Sequence, residues 1–98
     1  MFIQTEETAH NDTLRFIPGR DVYGPGAVFT AVDSARSPLA KRLFELNTVL
    51  KVTLGADDVL VTKSIEVEWH DLRPRILAAL MDHFMSGVAV VDEAAIAT

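Results

Sequence analysis

Ninety-eight residues suit one domain and are too few for two cores of ordinary size. A hydrophobic fraction of 49% with 23% charged residues fits a soluble globular protein and argues against disorder. The net charge of −5 disfavours a nucleic acid partner, whose phosphates need a basic surface, and the absence of cysteine excludes disulfides, thiolate catalysis and any thiolate-held cluster or zinc on this chain alone.

No apolar run approaches the roughly 18–20 residues needed to span a membrane. The opening Met1-Phe2-Ile3-Gln4-Thr5-Glu6-Glu7 lacks a basic n-region and an Arg-rich, acid-poor transit character, so a cytosolic protein of bacterial type is expected.

Residues 2–6 read as a first strand, followed by a turn over Thr8 to Asp12. Thr13 to Ile17 alternates with period two, which sets Leu14 and Phe16 opposite Arg15 if the segment is extended; Pro18-Gly19 stops it. Arg20 to Gly26 is a loop. Its Gly24-Pro25-Gly26 reads as a turn and not a phosphate cradle, because proline lacks one of the N–H donors a cradle uses. Ala27 to Thr30 is a third strand.

Ser37-Pro38 is the clearest local signal. Serine at an N-cap accepts a hydrogen bond from an orphan N–H, and proline at the first helical position loses nothing. A helix from Pro38 to about Leu46 follows, with Leu39, Leu43 and Leu46 on one stripe and Asn47 as its stop. Two strands come next. In Val49 to Leu54, alternation sets Leu50, Val52 and Leu54 on one face against Lys51 and Thr53; in Val59 to Val67, the apolar side is Val59, Val61, Ile65 and Val67, interrupted by Lys63. Gly55 to Asp58 joins them as a hairpin.

A last helix runs from about Asp71 or Pro74 to Ser86 with Gly87 as its stop, and Ile76, Leu77, Leu80 and Phe84 cluster on one arc. Arg73 would project into that arc. Either the helix begins after it, at Pro74, or the Arg73 stem snorkels at a sheet edge; the first reading is preferred, since proline belongs in a first turn. Residues 1–91 then form the domain, and the small, acidic residues 92–98 read as a linker or frayed tail. The order β-β-β-α-β-β-α is buried most simply as an α+β two-layer sandwich, a mainly antiparallel sheet with both helices on one face.

Little in the chain carries reaction chemistry. His10, His70 and His83 have no metal-ligand spacing, and His83, on the border of the apolar arc, fits a half-buried packing role. Glu6-Glu7, Asp57-Asp58 and the pair Glu66 and Glu68 read as solvated acids protecting strand edges and turns. No motif sets a serine, histidine and acid together. Trp69, the sole tryptophan, sits where the last strand meets the last helix; packing is its default role and a contact surface the alternative.

In sum these pieces resemble a known family. Met1 to Glu6, Thr13-Leu14-Arg15-Phe16 with Pro18-Gly19, Ser37-Pro38-Leu39-Ala40 leading to Leu43-Phe44, Val61-Thr62-Lys63, Trp69 with Leu72 and Pro74, and the run from Ile76 to His83-Phe84-Met85-Ser86-Gly87 are similar, over residues 1–91, to the N-terminal domain of Nfu-type (NifU-like) iron–sulfur cluster scaffold proteins. Where that family has a Thr-Pro-Asn-Pro turn, this chain has Thr8-Ala9-His10-Asn11. The resemblance implies a non-catalytic interaction module that engages iron–sulfur client apoproteins or assembly factors. A separate Cys-x-x-Cys domain would carry the cluster, and this chain itself would bind no cofactor or metal. A stand-alone accessory or regulatory protein of the same fold is the alternative, and an enzyme or metal protein built on the three histidines a third. Candidate contact residues are His10, Asn11, Lys41, Arg42, Trp69 and His70.

Overall fold

The computed structural model describes residues 2–92, the side chains of residues 33 and 34 excepted. Five strands form one antiparallel sheet: β1 (Gln4–Glu7), β2 (Thr13–Ile17), β3 (Ala27–Phe29), β4 (Val49–Leu54) and β5 (Val59–Lys63). Their spatial order is β1-β2-β5-β4-β3, so β1 and β3 are the edges. A 3-10 helix (Ala31–Arg36) leads into α1 (Pro38–Phe44), and α2 (Trp69–Ser86) closes the fold. This is the α+β two-layer sandwich expected, in the expected order of strands and helices, with the helices on one face.

The core lies between the layers. Phe16, Phe29, Val52, Val59 and Val61 from the sheet meet Leu39 and Leu43 of α1 and Ile76 and Leu80 of α2, all fully buried. The opposite sheet face is solvated and carries Arg15, whose guanidinium bridges Glu6 at 3.6 Å and Asp58 at 3.1 Å. Asp58 is therefore a half-buried ion-pair partner and not the freely solvated turn acid that the sequence suggested. Gly55 in the same hairpin has a packing reason: a Cβ there would collide with the Asp58 carboxylate.

At α1 the local signal holds. Ser37 is extended (φ −132°, ψ 109°), its hydroxyl accepts from the Ala40 N–H at 3.0 Å, and Pro38 occupies the first turn. The helix ends two residues early at Phe44, and Asn47 turns the chain at φ 63°, a left-handed conformation asparagine tolerates.

Strands β1, β4 and β5 differ in extent or in facing from the sequence expectation. The first strand runs over Gln4–Glu7 and not residues 2–6. In β4 the register shifts between Val49, opposite Lys63, and Lys51, opposite Thr62. This bulge turns Val49 inward and leaves Leu50 half exposed, so Leu50 does not share the face of Val52 and Leu54. β5 stops at Lys63, beyond which a turn carries Ile65 and Glu66 into solvent, ending the alternation that suggested a strand to Val67.

The last helix begins at Trp69 and not at Pro74. Its start is set by Glu68, whose carbonyl accepts from the N–H groups of Asp71 and Leu72, both at 3.1 Å. Pro74 lies one turn inside on the exposed face, and the helix runs through it without the one backbone bond a proline cannot donate. Arg73 is consequently helical and exposed beside the edge strand β1, the second of the two arrangements the sequence allowed. Gly87, at φ 75°, closes the helix as expected.

Beyond the helix, residues 88–92 fold back onto the start of α1. The Val90 carbonyl accepts the Ser37 hydroxyl at 2.6 Å, the Asp92 N–H donates to the Arg36 carbonyl at 2.8 Å, and Val91 is buried. Of the expected tail, residues 93–98 lie outside the described residues.

Candidate protein-contact site

The site is built where β1 runs past the first turns of α2. Thr5 and Glu7 pair with Phe16 and Leu14 of β2 and share their face, the one the helices cover. Opposite them α2 presents Trp69 and Arg73, which are four residues apart and so lie one above the other on one helix face. Thr5, Glu7, Leu14, Trp69, His70 and Arg73 line a recess of about 390 Å³ between strand and helix. It continues past Arg73 to Phe2 and Leu77 at one end, and to His10 and Asn11 at the other.

The loop at that second end is fixed by Thr8. Its hydroxyl donates toward the carbonyls of His10 and Thr13, both at 2.9 Å, and accepts from the His10 N–H at 3.1 Å. A threonine turn thus supplies order that two prolines would otherwise give. The Trp69 indole N–H donates to the Asn11 carbonyl at 2.9 Å, and the Lys63 ammonium lies 5.5 Å from the ring centroid. Trp69 therefore joins the β1–β2 loop, the end of β5 and the start of α2 with one side chain.

Of the six sequence candidates, the fold brings His10, Asn11, Trp69 and His70 together along this recess. Lys41 and Arg42 lie on α1 and take no part in it. Arg73, Glu7 and Thr5 were missed. The i, i+4, i+8 spacing of Trp69, Arg73 and Leu77 could have found the helical stripe, had the helix been started at Trp69.

His83 is the second surprise. It is buried, not half-buried, and neither ring nitrogen has a hydrogen-bond partner among the described residues. Its ring meets Phe84 edge-on at 5.9 Å. Burial holds its pKa below the ordinary 6.5; the nearby guanidinium of Arg42 and, more weakly, that of Arg20 act in the same direction, against the backbone at Ala89 and Val88. This is the chemistry of a packed neutral imidazole.

No group of three or more histidines and acids among the described residues is arranged to hold a metal ion. A thiolate-held cluster does not fit this chain, which has no cysteine. The recess presents an outer strand edge, one guanidinium, one carboxylate, an imidazole and an indole. Among the described residues no helix is long and apolar enough to cross a membrane.

Residues 3–87 match the family described as Scaffold protein Nfu/NifU N terminal. The chain belongs to that family. Proteins named NFU1 iron-sulfur cluster scaffold homolog, mitochondrial, are similar to it: that of Drosophila erecta is 41% identical over 97 residues, covering 96% of this chain and 34% of the relative. That of Drosophila persimilis is 38% identical over the same shares. The chain thus spans about a third of the length of these relatives. They are mitochondrial by name, whereas the sequence suggested a cytosolic protein.

The same fold occurs in a NifU-like protein from Saccharomyces cerevisiae (22% identity, TM-score 0.81, covering 92% of this chain and 83% of that one). It occurs again in protein SAV1430 from Staphylococcus aureus (20% identity, TM-score 0.71, covering 82% and 99%).

Proposed function

We propose that this domain is the non-catalytic interaction module of an iron–sulfur cluster scaffold, engaging client apoproteins or assembly factors while a separate Cys-x-x-Cys domain carries the cluster. The observation that carries the reading is the recess between β1 and α2, which gathers His10, Asn11, Trp69 and His70 in a chain without a single thiolate. Family membership supports the scaffold role. A weak module of this kind raises the effective concentration of a tethered cluster domain near its client.

The test is a titration of the isotopically labelled domain with an iron–sulfur client apoprotein and, separately, with a Cys-x-x-Cys scaffold domain. Amide shifts at Asn11, Trp69 and His70 are expected with at least one of them. Unchanged spectra with both would remove the proposal.

A further inference from the structure

We infer that the free edge of β1 and the Trp69–Arg73–Leu77 stripe of α2 bind an extended peptide segment of a partner protein, which joins the sheet as an added strand. An acidic side chain of that segment sits on Arg73, and a basic one two positions away meets Glu7. This names the partner chemistry of the contact module proposed above and rests on that reading.

Four observations carry it. β1 is the outermost strand, so every second residue turns its N–H and C=O away from β2, and no other described segment pairs with that side. A helix flanks this edge at groove distance, the arrangement in which strand addition gives affinity through the main chain and specificity through alternate side chains.

Arg73 is exposed, borders the recess on both sides, and has no acid within ion-pair distance among the described residues, where only Arg15 forms such pairs. Glu7, two residues beyond Thr5 on the same face, likewise has no base. An added strand with an acid beside Thr5 and a base beside Glu7 satisfies both at the period of two that strands impose. Apolar ground lies at either end, in the exposed Phe2 with Leu77 and in the Trp69 ring. A second copy of this chain fits poorly, because pairing β1 with itself would gather Glu6 and Glu7 of both copies on one short edge.

The probe is a terminally blocked peptide of alternating threonine and valine with one glutamate and, two positions on, one lysine. Titrated into the domain, it is expected to shift the amides of residues 4–7 and to change Trp69 fluorescence saturably, with Kd on the order of 10⁻⁴ M. Arg73→Glu, checked for folding by circular dichroism, weakens binding roughly three- to tenfold. A peptide with glutamate and lysine exchanged regains it on the Glu7→Lys/Arg73→Glu double variant. N-methylation of the peptide amides that face β1 abolishes binding.

Undiminished binding of the N-methylated peptide, or no shift in residues 4–7 at millimolar peptide, overturns the inference. So does a dimer in size-exclusion chromatography that Arg73→Glu disperses, since the edge then belongs to a second copy. Client-induced shifts that spare residues 4–7 overturn it too, and they leave the interaction module standing.

Discussion

At the scale of single residues, His83 shows how burial is decided far from the sequence around it. Its place on the border of an apolar arc was legible. Its full enclosure was not, because Arg42 of α1, about forty positions upstream, and the backbone of Val88 and Ala89 just past the helix lie beside it. The folded imidazole takes up its proton less readily than the unfolded one, its pKa being lowered from 6.5. Protons thus bind preferentially to the unfolded state below that value. Stability from this group is full above about pH 6.5 and is lost as pH falls through the folded pKa. The urea midpoint should therefore decline between pH 7 and pH 5, with a share from this residue of at most about 1.4 kcal/mol per pH unit. His83→Leu removes that share and makes the decline shallower. An identical decline in the variant would show that the imidazole is not the source. Trp69 makes the same point about the candidate site. The residue was named from its type and its family resemblance, but its bond to Asn11, across 58 positions, could not be read locally.

Whole elements were legible wherever a local device marked them. Ser37-Pro38 opened α1 and Gly87 closed α2 as read, since a cap or a left-handed residue acts within a turn. The misreadings fall where tertiary contacts outweigh the local signal. Pro74 suggested a helix start, yet α2 begins five residues earlier, where the Glu68 carbonyl takes the first helical bonds and the Trp69 indole is anchored to the β1–β2 loop. That single displacement concealed Arg73 and, with it, half of the recess. In β4 a strict period of two placed Leu50 in the core, but one bulge reversed the faces at Val49 and Leu50. Leu50→Thr and Ile65→Ser should accordingly change stability by no more than about 0.5 kcal/mol, whereas Val52→Ala, which opens a cavity, should cost roughly 2 kcal/mol. Denaturation midpoints of the three variants decide this. A loss at Leu50 equal to that at Val52 would mean an unbulged strand.

For the molecule entire, a radius of gyration of 12.5 Å is that of one compact domain of this length. Fold class and element order could be read from hydrophobic periods, while the strand order could not, since β2 pairs with β5 across more than forty residues. The family match ends at residue 87, but packing continues through Val91 and Asp92. Truncation after Gly87 should remove the buried Val91 side chain and the bonds to Ser37 and Arg36, costing about 2–4 kcal/mol. A urea midpoint equal to that of the longer chain would show that residues 88–92 contribute nothing.

The fastening of residues 88–92 also sets a direction of travel. They lie against the 3-10 helix and the start of α1, elements that pack beside β3 and over β4, whereas the recess borders β1. Four strand spacings, on the order of 19 Å, separate the two flanks. Chain continuing past Asp92 needs roughly six extended residues before it can reach the recess. A domain tethered past Asp92 and the peptide proposed at β1 would thus approach from opposite flanks, one beside β3 and the other beside β1.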